Sequence, residues 1–141
     1  MLLDANLLLY AVDEDSRLHQ RARGWLEETL AGPSRVGLPW PSLIAFLRIA
    51  SHPRALRSPL KPEAAWGFVG DWLDCESAFI PTPTPRHQGI LAGLIKAHDL
   101  RGNLIPDAHL AALAIEYGLP VASCDSDFAR FREVRWIDPL A

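Results

Sequence analysis

The chain lacks several features that would direct a functional reading elsewhere. It has two cysteines, Cys75 and Cys124, with none of the paired spacing that marks a zinc site or a disulfide framework. A cytoplasmic chain with two free thiols is the simplest expectation. No run of 18 apolar residues occurs, so no membrane-spanning helix is expected. The N-terminus has no basic segment leading to a cleavage site, so no secretory leader is expected. No repeat or linker interrupts the 141 residues, which reads as one domain over 1–141, large enough for a core. The formal charge of −3 argues neither for nor against a nucleic-acid partner. A local absence says more. From Thr29 to Pro62 there is no acid, while Arg35, Arg48, Arg54, Arg57 and Lys61 fall inside that stretch. It either holds a phosphate backbone or is a solvated, proline-rich loop with scattered arginines.

What is present organises around Met1 to Asn6. Leu2-Leu3 reads as the end of a buried strand. Asp4 then sits at the strand's C-terminal edge, where open α/β sheets build their sites, and Asn6 is expected to cap the apolar helix that follows. Asp4 alone could be no more than a turn residue, so the question is whether other acids return to the same edge.

In chain order, Ser16–Leu30 has a helical apolar stripe through Leu18, Ala22, Trp25, Leu26 and Leu30, ended by Gly32-Pro33. Residues 35–38 read as a short strand. Trp40-Pro41-Ser42 opens a helix that Ser51-His52-Pro53 stops. Pro62 begins a helix over Glu63–Cys75, and Ala78–Ile80 is a strand. Thr84-Pro85 reads as N-cap and first residue of the helix Arg86–His98. Residues 99–105 read as loop, Pro106 opens Asp107–Tyr117, and Gly118 stands where a helix-ending glycine belongs. Pro120–Cys124 is a strand, residues 126–131 a turn, and Arg135–Ile137 a last strand. Strands alternating with helices predict an α/β fold, a parallel sheet flanked by helices on both faces.

In that frame Asp4 and Asp125 each follow an apolar strand and share the sheet's C-terminal edge. Asp107, in the first turn of a helix, follows a loop crossing the same edge. Three acids distant in sequence converge, which suits a hard cation.

At this point the chain resembles a family. Leu2-Leu3-Asp4-Ala5-Asn6, the stretch Asn103 to Ala114 around Pro106-Asp107, and Ser123-Cys124-Asp125-Ser126-Asp127-Phe128 occur in the order found in the PIN-domain ribonucleases, most closely the VapC toxins of bacterial toxin–antitoxin pairs. The resemblance covers essentially the whole chain. It implies Mg²⁺- or Mn²⁺-dependent cleavage of RNA to 5′-phosphate and 3′-hydroxyl ends, a homodimer, and inhibition by a small cognate antitoxin protein. It implies Asp4, Asp107 and Asp125 as the metal-binding, catalytic acids, with Asp127 behind them and Asn6 and Ser123 orienting carboxylates. The chain departs from the family on the helix containing Leu43 to Arg48, where many members carry a glutamate and this chain has no acid. Arg48 there either contacts phosphate or makes an ordinary ion pair. Arg54, Arg57 and Lys61 complete an expected RNA-binding stretch, and Trp66, Phe68 and Trp72 offer apolar surface for a partner.

Two other readings compete. A catalytically degenerate PIN-like fold would bind RNA or protein without cutting. A phosphatase of the acid-after-first-strand type would carry a second aspartate where this chain has Asn6. His109, two residues beyond Asp107, should point away from it along a helix, and Glu116 reads as solvated or paired.

Overall fold

The computed structural model describes residues 1–141. Five two-residue strands form one parallel sheet: β1 (Leu2–Leu3), β2 (Val36–Gly37), β3 (Ala78–Phe79), β4 (Val121–Ala122) and β5 (Trp136–Ile137). Their spatial order is β3-β2-β1-β4-β5. Six helices connect them: α1 (Ala5–Val12), α2 (His19–Ala31), α3 (Trp40–Ala50), α4 (Pro62–Leu73), α5 (His87–His98) and α6 (Leu104–Tyr117). A 3-10 turn, Ser126–Arg130, precedes β5.

Successive strand residues face opposite sides of a sheet, and Leu2 and Leu3 demonstrate it. Leu3 joins the core built by α1 to α4, with Leu7, Phe46 and Val69. Leu2 joins the other core, with Leu94, Leu113 and Phe128 under α5 and α6. Both leucines are fully buried, so each contributes about 2 kcal/mol of burial. Gly37 pairs with Leu2, and a Cβ there would stand 2.2 Å from Leu2 Cδ2, so any larger residue would have to displace the buried Leu2 side chain. The middle of α6 is buried all round, through Ala108 and Leu110 to Ala114, which makes it a central helix rather than an amphipathic one.

The chain runs from β1 outward to β2 and β3, then crosses to β4 on β1's other side. The switch point of the sheet therefore lies between β1 and β4. Crevices for ligands form at the carboxyl ends of strands at such a point. The register Leu3↔Ala122 sets Asp4 beside Ser123 at that edge.

Several boundaries differ from the sequence expectation. Asp4, not Asn6, caps α1: its Oδ1 accepts from Ala5 N at 2.8 Å, and Asn6 lies inside the helix. α6 begins at Leu104, so part of the expected 99–105 loop is helical; Pro106 is tolerated there because the first turn's N–H groups have no partner inside the helix. α2 begins at His19, since Ser16 Oγ accepts from Leu18 N and holds a turn ahead of it. α5 begins at His87, one residue late, because the Thr84 hydroxyl is drawn to Glu116 while accepting from Arg86 N. Gly118 does end α6, in the left-handed conformation at φ +64°.

Candidate metal centre

Three elements bring the acids together. Asp107 stands in the first turn of α6. Asp125 caps the 3-10 turn after β4, its side chain accepting from Asp127 N at 2.9 Å. That tight turn places both carboxylates on one side. One oxygen from each of Asp107, Asp125 and Asp127 lies within 4.8 Å of the others.

Asp4 approaches differently. Its Oδ2 accepts from Ser123 Oγ at 2.7 Å and from Asn6 Nδ2 at 3.3 Å. Ser123, fully buried, also accepts from Asn6 Nδ2 and from Asp125 N, and Asn6 Oδ1 accepts from Cys124 N. Trp136 Nε1 donates to Ser123 O, pinning the end of β4. Asn6 and Ser123 thus tie the Asp4 carboxylate and the Asp125 backbone into one hydrogen-bonded group. The arrangement differs from the expectation in the acids themselves. Asp127, expected behind the others, is in the three-carboxylate cluster, while Asp4 is turned toward Ser123 and Asn6 and reaches Asp107 through its charge.

The electrostatics follow. Burial, then the charges of Asp4, Asp125 and Asp127, push the Asp107 carboxyl up to about 7, with Arg130 opposing. Burial also raises Asp4; hydrogen bonds from Ser123 and Ala5 pull it back, and Asp125 adds repulsion. Arg130 is a cation at the cluster that sequence reasoning did not single out. Its Nη2 lies 3.6 Å from Asp127 Oδ1, and its Nε donates to Asp127 O. The spacing of three between Asp127 and Arg130 in a helical turn was the signal available for it.

Beside the cluster is a cleft of about 90 Å³ bordered by Asp4, Ser42, Ala45, Pro106, Asp107 and His109. α3 therefore presents Ser42 and Ala45 to it, not an acid. Arg48 is exposed one turn further on and does not line the cleft, and Arg54, Arg57 and Lys61 are exposed residues before and at the start of α4. The structure joins none of these four cations to the carboxylates.

The donors are all carboxylate oxygens, with no histidine or thiolate among them. That set suits a hard divalent cation such as Mg²⁺ or Mn²⁺, which takes oxygen ligands. The repulsion recorded at Asp107 is what such a cation would relieve. The chemistry of the residues present therefore fits a metal centre.

Known proteins agree with this architecture. The PIN domain family model matches residues 1–134. A ribonuclease named VapC37 from Mycobacterium tuberculosis is 46% identical over 140 residues, covering 99% of this chain and 97% of that protein. The fold also matches solved structures. One is VapC20 of Mycobacterium tuberculosis, described as a sarcin–ricin loop cleaving toxin, at TM-score 0.70 and 18% identity, over 95% of this chain and 98% of that one. Another is VapBC2 from Rickettsia felis bound to a promoter DNA fragment, at TM-score 0.70 and 15% identity, over 96% of each chain. The matched family model spans β1 through the 3-10 turn, and with it every acid of the cluster: the chain belongs to the PIN-domain family, among the VapC ribonucleases.

Proposed function

We propose that this chain is the ribonuclease toxin of a type II toxin–antitoxin pair and that it cleaves RNA with Mg²⁺ or Mn²⁺. The observation that carries this reading is the convergence of Asp107, Asp125 and Asp127 within 4.8 Å at the switch point of the sheet, with Asp4 fixed beside them. Asp107, Asp125 and Asp127 would hold the cation, with Asp4 completing the negative wall. A bound divalent cation supplies Lewis-acid polarisation of the phosphodiester and activation of water.

The chain's own residues do the rest. Ser123 and Asn6 keep Asp4 from rotating, so its charge stays aimed at the cluster. The Asp125–Asp127 turn fixes both carboxylates before substrate arrives, which lowers the reorganisation needed on binding. Arg130 sits where the guanidinium can leave Asp127 for a phosphate oxygen. Arg48, Arg54, Arg57 and Lys61 would extend the phosphate contacts along the exposed rim.

Two partner surfaces go with the reading. A groove of about 460 Å³ between α1, α2 and α4, lined by Val12, Leu26, Leu30, Phe68 and Trp72, is apolar and open, and suits a short amphipathic segment of a cognate antitoxin. On α3 and α4, Trp40, Ile44 and Trp66 are exposed, Ile44 by 55% and Trp66 by 54%, with the two indoles stacked at 6.5 Å. Such a patch suits a homodimer contact.

The test is incubation of purified protein with RNA and with a generic phosphate ester, with Mg²⁺ or Mn²⁺ and with EDTA. Cleavage of RNA alone, abolished by EDTA and restored by metal, is the expected result. Hydrolysis of the ester, or RNA cleavage untouched by EDTA, would contradict the proposal.

A further inference from the structure

Away from the carboxylates, the cleft has a second polar wall. The Glu116 side chain has no solvent exposure and accepts three hydrogen bonds, from Thr84 N at 2.8 Å, Thr84 Oγ1 at 2.7 Å and His87 Nδ1 at 2.5 Å. His87 Nε2 meets His109 Nδ1 at 3.0 Å, with the rings edge to face. His109 in turn borders the cleft that Asp4 and Asp107 share. Asp107 and His109 both line it, together with Pro106 and Leu110 of the same helix.

Burying a carboxylate to join two helices is costly when apolar contacts would serve, so the consequence of this chain of bonds matters. It locks the His109 ring. Glu116 accepts, so His87 Nδ1 donates to it. One proton then lies between His87 Nε2 and His109 Nδ1. The remaining nitrogen, His109 Nε2, takes no hydrogen bond from the protein. No side-chain nitrogen or oxygen is both sealed from solvent and unbonded, so this atom is reached by solvent. Depending on which ring owns the shared proton, Nε2 is an acceptor or a donor. A phosphate oxygen, which only accepts, suits one state. A hydroxyl, which donates and accepts, suits both.

We propose that His109 Nε2 binds a ribose 2′-hydroxyl of the substrate strand next to the cleavage position, so that this histidine makes the cleft select RNA over DNA. The 2′-hydroxyl is the group by which a protein distinguishes the two at a given nucleotide. His87 and Glu116 are positioning residues: they touch no substrate and hold the ring that does. This rests on the nuclease reading above.

The experiment maps the cut in total RNA by end sequencing. It then measures kcat and KM, with Mn²⁺, on a short RNA containing that cut and on versions with one 2′-deoxynucleotide at each flanking position. Wild type should lose about tenfold in kcat/KM at one deoxy position, mostly through KM. His109→Ala should lose a similar factor on the all-ribose strand and show no further loss at that position, the non-additivity of a direct contact. His87→Phe, which keeps the ring packing and loses the hydrogen bonds, should show the same blunted response with kcat within a few-fold. His109→Asn serves if the alanine variant does not fold. A folded His109 variant that stays as sensitive as wild type at that position overturns this inference and leaves the nuclease reading standing. Wild type that cleaves no RNA overturns both.

Discussion

Asp107→Asn should make the metal-free protein more stable, and the gain should depend on pH. Asp107 carries the largest perturbation in the cluster, pushed from an ordinary 3.8 up to about 7 by burial and three neighbouring carboxylates. A carboxyl whose folded pKa is raised weakens the fold as it ionises. That penalty begins near pH 4, where the unfolded chain ionises, and is complete above about 7. Unscreened, a shift of that size corresponds to about 4 kcal/mol. Asp107 is half-buried, and solvent screening reduces the figure to about 2 kcal/mol. Loss of a favourable charge in the first turn of α6 returns about 0.5 kcal/mol. The net gain of about 1.5 kcal/mol should raise Tm by about 5 °C at pH 8. It should shrink as pH falls through 6 and vanish near 4. Adding Mn²⁺ should reverse the order of the two proteins, because a ligand at about a hundred times its Kd stabilises wild type by about 2.7 kcal/mol, while a variant binding it about a hundredfold more weakly gains only about 0.4 kcal/mol. Differential scanning calorimetry across pH 4 to 8 in EDTA, then with millimolar Mn²⁺, reads all three effects. An Asp107→Asn protein no more stable than wild type at pH 8 would refute the argument that these carboxylates repel one another.

Further outcomes follow from other residues. Asp4→Asn should lower stability by about 1–2 kcal/mol in urea unfolding, because an amide nitrogen in place of Oδ2 faces the Ser123 hydroxyl and Asn6 Nδ2 donors, a loss that outweighs the relief of burying less charge there. Ser123→Ala should cost a similar amount, since its buried hydroxyl joins Asp4, Asn6 and Asp125. A combined Ile44→Asp and Trp66→Ser change should convert a dimer into a monomer by light scattering at tens of micromolar; a monomeric wild type would remove the dimer from the account. Arg54→Ala with Arg57→Ala should weaken RNA binding and flatten its salt dependence by a slope of about 1.4 for two lost single-strand phosphate contacts, read by titration across salt concentrations.

The edge of the sheet was legible from local signals. An apolar strand followed by an acid, Leu2-Leu3 before Asp4 and Val121-Ala122 ahead of Asp125, put both carboxylates at that edge because strand ends are set by neighbours in sequence, although β4 stops at Ala122 and Asp125 stands three residues beyond it. The helix stripes were legible for the same reason. What escaped depends on distance along the chain. Thr84 looked like a helix cap, and its hydroxyl does accept from Arg86 N, but it also donates to Glu116, thirty-two residues on. Glu116 and His109 share a face of α6 seven residues apart, yet only His87 from α5 turns that spacing into a hydrogen-bonded chain. Asp127 was set behind the cluster because the 3-10 turn that swings it forward depends on the Asp125 side chain. Asn6 was read as a cap from its residue type, while its partners Ser123 and Cys124 lie at the other end of the sequence.

The central claim is that these carboxylates make a metal-dependent ribonuclease. It is tested most directly by measuring RNA cleavage and RNA affinity together for wild type and Asp107→Asn, with Mg²⁺ or Mn²⁺. Wild type should cleave, and the folded variant should lose cleavage by at least a hundredfold while its affinity falls only a few-fold, because the exposed cations of 48–61 contribute most of the binding. A folded Asp107→Asn protein that cleaves at the wild-type rate would contradict the catalytic assignment. A wild type that binds RNA and cuts none with either metal would leave a binding module in place of an enzyme.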